Sequence, residues 1–211
     1  MPESPNRKTS IKVERRKQIL EAAISLFARS GLSRTGLSDV ARAAGIAHGT
    51  VFLYFSSKDE LFRAAVLEPL ADFEHLMSAD SEREQGSGED PLQRIRALVE
   101  RHVAIFAGRT DYLRLIQYVA GQPERFPDLV AALDAFTKRF CSQLAPLIKE
   151  GQESGLLAPE DPKIIGLSYF SYLNGLGLTI LGDPPDSPIW AKLAGQAVRL
   201  FGPVVSAAPL V

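Results

Sequence analysis

The stretch "VARAAGIAHGTVFLYF" occupies residues 40–55 and packs alanines, a central glycine and a cluster of rings into sixteen positions. Two short helices that meet at a tight turn need a small residue where their backbones approach and a glycine where φ is positive. Ala41 supplies the first and Gly45 the second. Val40, Ala44, Ile46 and Val51 are expected to face inward, against Ile19, Ala23 and Phe27 from an earlier helix. The second helix is expected from about Gly49 to Phe55, opening at His48-Gly49-Thr50, with Ala47, His48, Thr50, Leu53 and Tyr54 left outward. This is a helix-turn-helix whose second helix has the size of a B-DNA major groove.

Helical spacing continues on both sides. In residues 15–29, Ile19, Ala22, Ala23, Leu26 and Phe27 form one stripe, and Gly31 offers a C-terminal cap. Ser57 followed by Glu60 makes a capping box that opens a helix over about 58–81. Pro69 lies inside that helix and predicts a bend near 62–65 or a break at Glu68. The polar, glycine-rich run 82–90 reads as a flexible connector. Asp90-Pro91 starts the next helix as cap and first position. Further helices are expected over 110–121, 127–154, 162–181 and 190–205. Strand signals are almost absent, so the fold class is all-α with about nine helices. The expected division is an N-terminal helix-turn-helix domain over 1–57 (with an arm at 1–13), a second helical domain over 58–205, and a loose tail at 206–211.

The formal net charge of −1 conceals an asymmetry: residues 1–58 carry net +6 and the remainder −7. A basic first segment suits a polyanionic partner. The run "NRKTSIKVERRK" is compatible with an arm entering a minor groove and with a solvated tail. One cysteine, Cys141, precludes an internal disulfide, and no secretion signal opens the sequence, so a cytoplasmic location is expected. No nucleophile elbow, phosphate loop or zincin motif is present. The three histidines are scattered, so neither an enzyme nor a metal site is expected, and no cofactor.

The run "RRKQILEAAISLFARSGLSRTGLSDVARAAGIAHGTVFLYFSSKDELF", residues 15–62, resembles the DNA-binding domain of the tetracycline-repressor-like (TetR/AcrR) bacterial transcriptional regulators. It keeps the order Phe-Ala-x-x-Gly, Asp-Val-Ala-x-x-Ala-Gly-Ile, Gly-Thr-Val-Phe-x-Tyr-Phe and Ser-Lys-Asp-Glu-Leu. The resemblance implies phosphate contacts by Thr50 (through hydroxyl and backbone N–H), Tyr54 and Lys58. It implies base reading by His48 and contacts or capping by Ser38 and Thr35. Ala47, Gly49 and Leu53 complete the groove-facing set, and Ala47 and Leu53 suit thymine methyls. Phe52 replaces a usual tyrosine, and Gly36 replaces a usual threonine or serine. Read without the resemblance, His48 is equally a surface histidine, Lys58 a solvated lysine and Tyr54 a core ring.

The resemblance also implies a ligand pocket and a dimer interface in the acidic half. Residues 164–181, "IIGLSYFSYLNGLGLTIL", contain no charge. A helix apolar all round is buried on both sides or lies in a membrane, and the polar residues and glycines dilute the membrane reading. One face is then expected on its own core and the other on a second copy. Gly166, Gly175 and Gly177 would permit close helix approach. The expected interface is Ile165, Tyr172, Leu176, Ile180, Leu193, Ala197, Leu200 and Phe201, the alternative being the inner core of a monomer. Pocket candidates are Phe73, Met77, His102, Phe106, Tyr112, Ile116, Gln117, Phe136, Phe140, Tyr169, Leu173 and Asn174, any of which also reads as plain core. The expected function is a dimeric regulator, a repressor on a double-stranded, near-palindromic DNA operator, released by an apolar or aromatic small-molecule effector. That release is expected to run through the helix containing Pro69. The alternative is a helical ligand-binding or protein-interaction module without DNA binding.

Overall fold

A computed structural model describes residues 5–84, 90–180 and 183–201, with side chains from residue 10 onward except at 77–84. Among the described residues there are nine helices and no strands: α1 (Pro5–Arg34), α2 (Leu37–Ala43), α3 (His48–Val51), α4 (Lys58–Glu84), α5 (Pro91–Ala107), α6 (Thr110–Ala120), α7 (Pro127–Glu153), α8 (Pro162–Thr179) and α9 (Pro188–Arg199). The all-α reading therefore holds. The tail at 206–211, most of the connector at 82–90 and the end of the ninth helix past Phe201 lie outside the described residues.

Two compact units divide the chain elsewhere than at Lys58. One is Met1–Leu70 with Arg114–Val130; the other is Ala71–Leu113 with the chain from Ala131. The first thirteen residues of α4, Lys58–Leu70, thus belong with the helix-turn-helix, as does a segment more than forty residues downstream.

In the first unit, Ile19, Ala23, Phe27, Val40, Val51, Leu61, Ala65 and Val66 are fully buried. Phe27 meets Phe62 edge-on at 5.1 Å, and Phe62 also packs against Phe126 at 5.1 Å. α1 is longer than its apolar stripe: residues 5–13 continue the helix rather than forming an extended arm. Pro5 at the first helical position and helix-favouring Lys, Arg and Glu account for this. At the other end Gly31 takes φ 72°, as a capping glycine does, and the chain kinks there before Arg34. α4 runs unbroken through Pro69, so the break anticipated at Glu68 does not occur. Ser57 Oγ accepts from the Glu60 N–H at 3.0 Å as expected, but the Glu60 carboxylate turns to the N–H and hydroxyl of Ser56 rather than to Ser57.

The second unit is centred on rings. Phe73, Phe106, Phe136, Phe140, Tyr169 and Phe201 are buried, and each lies within 6.4 Å, centroid to centroid, of another ring in the set. Asp90 accepts from the Leu92 N–H at 3.5 Å and Asp161 from the Lys163 N–H at 2.9 Å, each before a proline at the first helical position. Two α8 glycines allow close approach within the chain: a Cβ on Gly177 would fall 1.9 Å from Leu113, and one on Gly166 would meet the Cys141 backbone at 3.4 Å. Gly175 has nothing within 4 Å.

Candidate functional site

The helix-turn-helix is held from beneath. Val40, Ala41, Val51 and Phe55 are buried, while Ala44 and Ile46 are only half-covered. Gly45 takes φ 65° at the turn, and Ile46 N–H donates to the Ala41 carbonyl at 3.0 Å. Gly36 has no side chain to cap α2; Asp39 compensates by accepting from the Gly36 N–H at 3.1 Å. Arg16 forks onto Glu68 with both terminal nitrogens and lies 4.7 Å over the Phe55 ring, which ties α1, α4 and the end of the reading segment together. Glu68 holds the Arg16 guanidinium above its ordinary pKa.

α3 itself is one turn, His48–Val51, shorter than the sequence suggests. Turn hydrogen bonds from Leu53 N–H to Thr50 and from Tyr54 N–H to Val51 carry the coil onward. Ala47, His48, Gly49 and Leu53 are exposed, Leu53 at 77%, and Thr50 and Tyr54 are half-exposed. His48 and Phe52 meet edge-on at 5.2 Å. Phe52 is itself 48% exposed, so a large ring without a hydroxyl borders this face. Ser38 is exposed at the start of α2.

Three of the expected contact residues also make hydrogen bonds within the chain. Thr35 is 3% exposed, and its hydroxyl donates to the Gly31 carbonyl at 2.9 Å, so it caps the end of α1 instead of facing a ligand. Lys58 Nζ donates to the Leu32 carbonyl at 3.0 Å, which commits one of its hydrogens to the same helix end. The Thr50 N–H donates to the Ala47 carbonyl at 2.9 Å, leaving the hydroxyl as that residue's free donor.

A support that the sequence reading missed grips the α1–α2 junction. Tyr118 Oη accepts from the Leu32 N–H at 3.3 Å and from Arg125 Nη1 at 3.2 Å, and Arg125 Nη2 reaches Ser33 Oγ at 2.9 Å. Beside it, Leu32, Asp59, Phe62, Arg63, Phe126 and Leu129 line a cleft of about 370 Å³. No local spacing connects Tyr118 to Gly31; only the fold does.

The effector candidates divide similarly. Phe73, His102, Phe106, Tyr112, Phe136, Phe140, Tyr169 and Leu173 are all buried in the second unit. Burial raises the Tyr112 and Tyr169 hydroxyls above the ordinary phenol range, so both stay protonated. Gln117 is exposed and Ile116 half-exposed, and both lie in the first unit. Asn174 donates to the Phe170 carbonyl at 2.9 Å on its own helix. The Met77 side chain lies outside the described residues.

The expected dimer set is also re-sorted. Ile165, Leu176, Ala197 and Phe201 are buried in their own chain, and Tyr172 donates to the Leu193 carbonyl at 3.0 Å, joining α8 to α9. Ile180 and Leu193 are half-covered; Leu200 is exposed. On and beside these two helices the uncovered apolar residues are Ile164 (56%) and Leu167 (47%) on α8, Ile189 on α9 and Leu200 just past its end. On α8 they share a stripe with Ser171 and Gly175. Among the described residues no helix is long and apolar enough to cross a membrane, and no cluster of His, Cys, Asp and Glu could hold a metal ion.

Comparison with known proteins matches residues 19–65 to the family described as bacterial regulatory proteins, tetR family, and residues 88–177 to the tetracyclin repressor-like C-terminal domain. The HTH-type transcriptional regulator BetI of Burkholderia cenocepacia is 36% identical over 196 residues, covering 92% of this chain and 97% of its own. The fatty acid metabolism regulator protein of Bacillus subtilis is 25% identical over 138 residues, covering 65% and 68% respectively. The crystal structure of FadR from Bacillus subtilis in complex with stearoyl-CoA aligns with a TM-score of 0.63 at 19% identity, over 89% of this chain and 98% of that one, a likeness of fold.

Proposed function

Because the chain belongs to the TetR family of bacterial regulatory proteins, we propose that it is a cytoplasmic transcriptional repressor that binds a near-palindromic operator as a homodimer and leaves it on binding a small apolar or aromatic effector. It is a DNA-binding transcriptional regulator, as its homologues are. The observation that carries this reading is the exposed face of Ala47, His48, Gly49, Thr50, Leu53 and Tyr54 over a buried base of Val40, Ala41, Val51 and Phe55. His48 and Ser38 are its polar readers, and Thr50, Tyr54 and Lys58 its phosphate contacts. Ala47 and Leu53 supply apolar readout, so thymine methyls suit them. Two such faces about 34–36 Å apart meet successive major grooves.

The second copy docks on Ile164, Leu167, Ser171 and Gly175 of α8 with Ile189 of α9 and Leu200 beside it, a largely apolar surface left uncovered in one chain. The ring-lined interior of the second unit suits an apolar body, and a relative that regulates fatty acid metabolism points to an acyl chain as one such body. Binding there shifts α4, which runs from the helix-turn-helix to Phe73. The test is fluorescence anisotropy with the DNA upstream of the protein's own gene, at two salt concentrations. Thr50→Ala with Tyr54→Phe is expected to weaken binding at least tenfold and flatten its salt dependence, with the melting temperature little changed. Unaltered affinity removes both residues from the interface.

A further inference from the structure

Among the described residues two buried side-chain nitrogens lack a hydrogen-bond partner, Arg94 Nε, whose guanidinium is already paired with Glu150, and His102 Nε2. His102 is 2% exposed on α5; its Nδ1 lies 3.0 Å from Tyr169 Oη, and its ring stacks on Tyr169 at 5.9 Å and lies 5.6 Å from Phe140. Its Nε2 is buried with no hydrogen-bond partner among the described residues. Burial, with some help from the Arg101 charge, holds the imidazole neutral, its pKa lowered to about 3.

Two proton arrangements fit the Nδ1–Oη pair. If Nδ1–H donates to the tyrosine, Nε2 is a bare acceptor and the phenol proton has nowhere to go. If the phenol donates to Nδ1, one group is left over, an Nε2–H among aromatic rings. Leaving one buried polar group unanswered costs less than leaving two, so the second arrangement holds. An Nε2–H donor takes an acceptor. A carboxylate would bring a charge into a neutral, apolar site, and an ammonium has no lone pair to offer.

We propose that His102 Nε2–H is the polar anchor of the effector site, and that the effector is a neutral molecule whose carbonyl oxygen accepts this hydrogen bond while its apolar body lies among the rings of Phe140, Tyr169 and their neighbours. Tyr169 is then a positioning residue: its hydroxyl fixes the tautomer that makes Nε2 a donor. The proposal rests on the reading of the second unit as the effector-binding part and adds the class of molecule it takes.

The chain has three histidines, so ¹⁵N-histidine labelling resolves His102 directly. The probes are 4-phenyl-2-butanone and 2-undecanone, their counterparts with C=CH₂ in place of C=O, and decanoate. The ketones are expected to move the His102 Nε2–H resonance downfield and to bind roughly tenfold tighter than the hydrocarbons, with decanoate weaker still. In His102→Phe the ketone preference disappears while hydrocarbon binding persists. An Nδ1–H tautomer, a resonance answering only to buried water, or a ketone preference that survives in His102→Phe overturns the proposal; the wild-type spectrum decides if that variant does not fold. Operator affinity without probe is measured in parallel. Its loss in the wild type defeats the regulator reading alone, and intact DNA binding with an indifferent His102 defeats this proposal alone.

Discussion

Gly31 and His102 show how much a single position settles. Gly31 takes φ 72°, and a Cβ there would lie 3.0 Å from the Tyr118 ring. Gly31→Ala therefore adds backbone strain to a steric clash and is expected to cost about 1–3 kcal/mol. Denaturant unfolding with an unchanged midpoint would show that the junction relaxes freely. His102 sets a pH dependence. Its folded pKa, about 3, lies below the ordinary 6.5. The unfolded chain thus takes up a proton that the folded one refuses, and stability is whole above pH 6.5 and falls as pH drops towards 3. At pH 5 the loss from this residue is about 2 kcal/mol. His102→Phe should remove that portion of the slope in urea titrations at pH 8 and pH 5, and identical slopes would place the proton elsewhere. The sequence marked both residues, Gly31 as a cap and His102 as a polar group on an apolar face. It could not mark Tyr118 or Arg125, whose partners at Leu32 and Ser33 lie more than eighty positions away.

Among the elements, α4 carries an internal cost. Pro69 has no N–H to offer the Ala65 carbonyl, yet the helix passes through it unbroken. Buried Leu61, Phe62, Ala65 and Val66 on one side and Leu70 and Phe73 on the other hold it in line. Pro69→Ala restores a backbone bond and is expected to raise stability by about 1 kcal/mol or more, read as a higher melting temperature. A fall would mean that the surroundings have adapted to the ring. This is why the break, one of the two outcomes expected, does not occur: local propensity argued for an end, and burial on both sides outweighed it. α8 teaches the converse. Its lack of charge told that two faces needed cover, but not which residues lay on which. Tyr169, Leu173 and Gly177 fix the inner face by packing, and Ile164, Leu167 and Gly175 are left outside.

For the whole molecule, the uncovered apolar stripe of α8 and α9 is a surface that association would stabilise. Leu167→Glu is expected to shift sedimentation from dimer towards monomer and to weaken operator binding with it, while far-ultraviolet circular dichroism is unchanged. Tyr172→Phe, which touches only the Leu193 carbonyl, should leave the assembly intact. A dimer undisturbed by a charge at Leu167 would move the interface elsewhere. The class of fold and the outward face of the reading segment were legible because both rest on local spacing. The unit boundary was not, because it depends on where a distant segment returns.

That return has a consequence for anyone wishing to exchange parts between such regulators. The head is not a contiguous stretch of gene: Phe62, Leu32 and Gly31 are closed over by Tyr118 and Phe126, which are encoded far downstream. A clone stopped after the helix-turn-helix would leave a wet, open flank where those rings belong. A chimera joined at that same seam would seat one protein's reading surface on another's foundation. Swapping specificity cleanly means transplanting the downstream patch together with the groove-facing residues.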